Sequence, residues 1–292
     1  MTIDGKIMGM TTIINSVSSQ YGYTSQGTGF FYSEIAMEAT GPVNEKGQGW
    51  HEVKGIWLIT NRHVAFPVIK NTDGSVIETI PDSLTFNLRE EKGGKIEWLP
   101  IILSKDELLK RTKLHSIKNV DIVAIDIDDL HKRVLTERSG RKIIGSLGVT
   151  SSDLPSLSQP IIEATTDVVI CSYPYGFYDT FNKFPIIKSG IIASAWGENF
   201  NGSPHFLVDA KLFEGSSGGL VISKPINIAM INGKLMHSEE KQFVFLGVYS
   251  GEYSVKVVDS DTSEEIEESF GLGVVWYSTL IPEIIKNGIA FS

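Results

Sequence analysis

In the stretch Asp209-Ala-Lys-Leu-Phe-Glu-Gly-Ser-Ser-Gly-Gly-Leu-Val-Ile222, Gly215, Gly218 and Gly219 bracket a pair of serines just ahead of an apolar, strand-like run. A serine hydroxyl attacks a carbonyl when its oxygen is exposed, a base reaches its proton, and backbone N–H groups meet the oxyanion that forms. Ser217 is the candidate nucleophile. Gly215 lets the chain turn so that its own N–H and that of Ser217 point at one spot, while Gly218 and Gly219 let backbone pack closely behind. An ordinary Gly/Ser turn has the same composition, so the loop needs partners elsewhere in the chain before it means chemistry.

A serine nucleophile needs a histidine base and a carboxylate, and their order along the chain differs between unrelated folds. Gly-Ser-Ser-Gly-Gly satisfies the loose G-x-S-x-G pattern of the α/β-hydrolase elbow, where acid and histidine follow the serine. After Ser217, however, the one histidine is His237, in a polar Asn-Gly-Lys turn. Ahead of it stand His63, in Trp57-Leu-Ile-Thr-Asn-Arg-His-Val-Ala65, and Asp121, in Asn119-Val-Asp-Ile-Val-Ala-Ile125. Histidine, aspartate, serine is therefore the order to explain.

These three segments resemble those of trypsin/chymotrypsin-type serine proteases, most closely the bacterial HtrA (DegP-like) branch with its T-N-x-H-V, D-I/L-A and G-N-S-G-G segments. Gly27-Thr-Gly-Phe-Phe31, Ile170-Cys-Ser-Tyr-Pro-Tyr-Gly176, Lys188-Ser-Gly-Ile-Ile-Ala-Ser194 and Gly271-Leu-Gly-Val-Val275 extend the likeness over most of the chain. The resemblance implies an all-β, chymotrypsin-like double six-stranded β-barrel with a short C-terminal helix. It implies His63 as general base, Asp121 as its orienting acid, Ser217 as nucleophile, and the amides of Gly215 and Ser217 as the oxyanion hole. It further implies one protease unit in which residues 1–135 form a barrel carrying His63 and Asp121, 136–158 a polar linker, and 159–292 a barrel carrying Ser217 and the helix. Ser216 departs from the family, replacing the aspartate that pairs with a newly cut N-terminus in extracellular trypsins, so activation by that cleavage is not expected. No PDZ domain is expected in the stretch after Ser217.

Composition sets outer limits. The chain has 292 residues, 41% of them hydrophobic, with a mean hydropathy of +0.02, which suits one or two globular domains with a sizeable core. A net charge of −9 without a long Lys/Arg cluster argues against nucleic acid or an anionic membrane as partner. With one cysteine no intramolecular disulfide is possible; Cys171, in an apolar run, reads as core. His51, His115, His131, His205 and His237 are scattered in polar surroundings without ligand spacing, so neither a metal nor another cofactor is expected. The first ten residues make a poor secretory signal and no apolar run reaches membrane-spanning length, which points to a cytoplasmic protein.

Along the chain, Gly55–Thr60 reads as a strand delivering His63, and Ser83–Leu88 and Gly94–Ile102 as a hairpin turning through Arg89–Gly94. Val120–Ile127 reads as a further strand. In it Asp121 shares a face with Val123 and Ile125, whereas Asp126, Asp128 and Asp129 read as a solvated strand end. Phe245-Leu-Gly-Val-Tyr-Ser-Gly251 resembles the strand that pairs with substrate residues preceding the scissile bond, placing Ser250 near Asp121. Lys211, Ser189, Tyr249, Ser250 and Glu252 are the expected substrate-binding residues; Lys211 would favour an acidic side chain and Glu252 a basic one. Asp259–Glu268 reads as an acidic solvated loop. The expected function is a serine endopeptidase acting on polypeptides through an acyl-enzyme, regulated inside the cell and answering to a protein activator or sensor. The alternative is a latent or inactive relative whose cleft holds a protein partner.

Overall fold

Short runs of β-branched and aromatic residues, punctuated by Gly, Asn and Pro, become strands along nearly all of the chain. The computed structural model describes residues 7–42, 49–70, 74–137, 142–145, 147–258 and 265–291. The N-terminal half holds β1 (Thr11–Ser18), β2 (Tyr23–Ile35), β3 (Val53–Thr60), β4 (Val68–Lys70), β5 (Val76–Glu78), β6 (Ser83–Lys92), β7 (Lys95–Ser104), β8 (Thr112–Leu114), β9 (Val123–Asp126), β10 (Lys142–Ile144) and β11 (Val149–Thr150). The C-terminal half holds β12 (Asp167–Ser172), β13 (Ile186–Ile192), β14 (His205–Asp209), β15 (Leu220–Ser223), β16 (Ile226–Ile231), β17 (Lys234–Gln242), β18 (Phe245–Val258) and β19 (Glu265–Tyr277), with β20 (Ile289–Ala290) at the end.

In the second half, β12-β13-β14-β19-β18-β15 close into a six-stranded barrel. The first half, joined by β20 from the end of the chain, forms a ten-stranded sheet of order β10-β6-β1-β2-β3-β9-β8-β20, with β7 on β6 and β11 on β2, while β4 and β5 pair with each other apart from it. The mostly β fold, the closed barrel and the short C-terminal helix (Leu280–Asn287) are as expected. In the N-terminal sheet, however, no pairing among the described residues joins β7 to β8, between which the helix Lys105–Arg111 is inserted. That helix begins in a capping box, Ser104 Oγ accepting from the Glu107 N–H while Glu107 accepts from the Ser104 N–H.

Three cores follow from the pleat. Phe31, Leu58, Val123, Ile125, Phe86 and Leu103 pack inside the N-terminal sheet, whereas Ile170, Val221, Leu246, Phe206 and Val275 fill the C-terminal barrel. Between the halves lies a third cluster, in which Phe30, Tyr32, Ile59, Val120 and Ala124 meet Cys171, Leu220, Ile222, Phe245, Trp276 and Ile284. Neighbouring residues of one strand thus serve different cores, because successive side chains leave a strand on opposite faces. Burial on both faces is why these strands are continuously apolar.

Several expectations are corrected. Within the stretch 136–158, β10 and β11 join the N-terminal sheet on β6 and β2, and a helix over Asp128–Glu137 leads into it. Asp128 and Asp129 belong to that helix, held by Lys132 at 2.7 Å and by Arg111 at 2.5 and 2.9 Å. The hairpin turn narrows to Gly93-Gly94, both at positive φ, and Arg89 is fully buried in the strand before it. Its guanidinium donates to carbonyls of Gly9, Thr11 and Lys183 and to the Tyr173 hydroxyl, and stacks on Trp98. In the acidic stretch, residues 259–264 lie outside the described residues, whereas Glu265 onward is strand β19, paired with the outer half of β18.

Candidate active site

β3 ends at Thr60, and the chain turns through Asn61 into the single helical turn Arg62–Ala65 that carries His63. β9 pairs with β3 in the register Thr60↔Val123, which sets Asp121 against that turn just before its strand begins. The expected strand starts late for this reason: the Asp121 carbonyl is taken by Asn61 Nδ2 at 2.7 Å and the Arg62 N–H at 3.4 Å. Its carboxylate accepts from the His63 N–H at 3.0 Å and faces His63 Nδ1 at 2.7 Å. Backbone and ring of the histidine are thus fixed by one carboxylate, leaving Nε2 as the outward nitrogen.

The Ser217 loop is shaped by backbone. Gly215 and Gly218 both have positive φ, and a Cβ on Gly218 would lie 1.9 Å from the Thr28 carbonyl oxygen. Ser216 N–H closes a turn on Phe213 O at 3.0 Å, and Gly218 N–H bonds Tyr249 O at 2.8 Å. Across the cleft, the Thr28 N–H donates to Ser217 O at 2.8 Å, while Thr28 Oγ1 donates to Gly215 O and accepts from the Tyr173 N–H. Among the described residues the N–H groups of Gly215 and Ser217 have no acceptor. The buried Ser216 hydroxyl accepts from Ser172 Oγ at 3.2 Å.

Ser250 ties the two sides together. Its hydroxyl donates to Asp121 Oδ2 at 2.6 Å and its carbonyl accepts from Ser217 Oγ at 2.7 Å. Ser217, His63 and Asp121 are therefore brought to one cleft, with the serine proton directed at Ser250 O rather than at the imidazole.

The other expected binding residues are placed differently from one another. Tyr249 is in the barrel core, its phenol pushed up by burial, so its backbone and not its ring serves the loop. Glu252 accepts from the Ser269 hydroxyl across β18 and β19. Lys211 lies over the Phe213 ring, and Ser189 is exposed on β13. Cys171 is fully buried and its thiol is pushed up to about 12, the character of a core residue. The remaining histidines are not all in polar surroundings: His131 is buried with no hydrogen-bond partner for either nitrogen among the described residues, and His205 sits between Phe200 and Trp276. Among the described residues no group of three His, Cys, Asp or Glu side chains is placed to hold a metal. Likewise, no helix is long and apolar enough to cross a membrane.

Sequence reasoning missed Thr28, Thr60 and Tyr175. Thr60 Oγ1 donates to the Thr28 carbonyl at 2.7 Å, and the Tyr175 N–H to Glu214 O at 2.6 Å. The Gly27-Thr-Gly pattern signalled a close approach at Thr28; nothing in the chain signalled what it approaches.

No family model and no curated protein matches the chain. Among solved structures it is similar to the Rv3671c protease of M. tuberculosis in its active form, at 16% identity and a TM-score of 0.42, over 99% of this chain and 85% of that one. An inactive serine-to-alanine form of the same protein matches at 15% identity and 0.38, over 97% and 87% of the two chains. The protease Anisep of Arthrobacter nicotinovorans matches at 14% and 0.45, over 96% and 94%. At identities and scores this low the likeness carries no argument about chemistry, which rests on the chain's own residues.

Proposed function

We propose that this chain is a serine endopeptidase of the chymotrypsin-like kind, built as one unit of two halves around the cleft. The observation that carries the reading is the linked set Ser217–Ser250–Asp121–His63, in which one carboxylate holds the imidazole and the neighbouring hydroxyl, and Ser250 O receives the serine. His63 takes the Ser217 proton as Oγ adds to the peptide carbonyl carbon. The oxyanion then meets the two N–H groups of Gly215 and Ser217, which have no other acceptor among the described residues. Collapse of that intermediate expels the amine, protonated by His63, and water releases the acyl group. Asp121 holds the ring tautomer and stabilises the imidazolium. The likeness to the HtrA branch, polypeptide substrates and a cytoplasmic site of action belong to the same proposal; the single, buried cysteine is compatible with a reducing compartment.

A second reading has its own support. The Ser217 hydroxyl bonds to Ser250 O, and attack requires that its proton turn to His63 instead. This favours a protease that is latent until a polypeptide or activator occupies the cleft, or one that uses the cleft only to bind. Labelling with a fluorophosphonate probe, read by intact mass, separates the readings. Single labelling of the wild type that vanishes in Ser217→Ala is the expected result, whereas a wild type left unlabelled even with unfolded polypeptide present would overturn a protease active without a further activator and favour the second reading.

A further inference from the structure

The net charge of −9 would repel an acidic substrate, yet the loop carrying Ser217 is bordered by cations. Lys188 Nζ lies 5.0 Å and Lys211 Nζ 6.0 Å from the centroid of the Phe213 ring. Phe213 is no remote neighbour: its carbonyl closes the turn into Ser216, and its ring rests 6.0 Å from that of Tyr175, whose N–H holds Glu214 O. The two ammonium groups thus come from separate elements, β13 and the nucleophile loop, and meet at one aromatic ring beside the oxyanion donors.

Among the described residues, neither lysine forms an ion pair with a carboxylate. Three acids are close in the chain or across the loop. Asp209 ends β14 and Glu214 adjoins Phe213, both exposed, and neither pairs with the lysines. Glu252, the one residue from which a basic preference was expected, already accepts from Ser269. A cation seated on a ring face is positioned, and the ring excludes water from one side, which strengthens its attraction for an arriving anion.

We infer that the cleft selects polypeptides with an acidic side chain within a few residues of the bond presented to Ser217, with Lys188 and Lys211 as the specificity-determining pair. This rests on the protease reading for its catalytic meaning, but the preference itself is a binding property. It can therefore be measured on the Ser217→Ala protein, which cannot acylate. The probe is a fluorescein-labelled Ala/Ser octapeptide carrying one Glu, Gln or Lys at each position in turn, titrated at low and at high salt.

The expected result is that, at one position or more, the Glu peptide binds about tenfold more tightly than its Gln counterpart, the Lys peptide being the weakest. High salt should shrink the difference, since the lysines are not deeply buried. A Lys188→Met/Lys211→Met double variant, confirmed folded by circular dichroism, should lose it. Equal binding of Glu and Gln peptides, failure of every Glu peptide to bind, or a preference that survives in the double variant would overturn the inference. Fluorophosphonate labelling of the wild type reports separately on catalysis. A chain that prefers Glu and is not labelled keeps this inference and loses the reading of a protease active without a further activator; a labelled chain without charge preference does the reverse.

Discussion

Thr28 holds the Ser217 loop at three points from the opposite half of the molecule. Its N–H binds Ser217 O, its hydroxyl binds Gly215 O at 2.7 Å, and its carbonyl leaves no room for a side chain at Gly218. The hydroxyl bond fixes the peptide unit next to the proposed oxyanion donors. Thr28→Val keeps the shape and the backbone bonds but leaves Gly215 O and the Tyr173 N–H without this partner, a buried loss worth about 1–3 kcal/mol. The fluorophosphonate labelling rate is expected to fall roughly 10–100-fold, in the range seen when oxyanion geometry is disturbed. Thr28→Ser, which restores the hydroxyl, should recover the rate. If both variants label at the wild-type rate, Thr28 is only a packing residue. At this scale the sequence already supplied His63, Asp121, Ser217 and Ser250, because each stands in a local segment of recognisable pattern. Thr28 and the Lys188/Lys211 pairing were hidden, since each depends on which element a neighbour belongs to.

The elements differ in how far they could be read. The hairpin of β6 and β7 and the helix Leu280–Asn287 were legible, the first from its Gly-Gly turn and the second from Pro282 near its start and Asn-Gly at its end. The helix Asp128–Glu137 was not, because three aspartates in quick succession look solvated until Arg111 and Lys132 are seen to bind two of them. That helix buries His131 with no hydrogen-bond partner for either ring nitrogen among the described residues, and burial lowers its pKa from the ordinary 6.5, partly offset by Asp128. A depressed histidine pKa means that the unfolded chain binds the proton more readily than the folded one. Its effect is absent above the unfolded pKa, sets in as pH falls through about 6.5, and is complete below the folded value. Urea midpoints should therefore drop between pH 7.5 and pH 5.5 by more in the wild type than in His131→Leu. An equal drop in both would show that His131 is not the acid-sensitive group.

The whole molecule is joined by the core between its halves, where Phe30 and Phe245 meet edge to face at a centroid distance of 5.5 Å. Because this cluster draws on both halves, Phe245→Ala should cost about 3–5 kcal/mol while leaving one transition in which tryptophan fluorescence and far-ultraviolet circular dichroism coincide. Separate transitions in the wild type would show that the halves fold independently. The chain is bound together at its end as well, since β20 returns to pair with β8 of the first sheet. The sequence by itself determined the mostly β class, the residue types and order of the candidate triad, and the burial of Cys171, because strand alternation, glycine turns and short motifs are local properties. Tertiary structure alone decided that no pairing among the described residues joins β7 to β8, that Ser217 rests on Ser250, that Tyr249 turns inward, and that two lysines share Phe213. Those outcomes depend on strand register and on which faces pack together, and such contacts between residues far apart in the chain leave no periodicity in it.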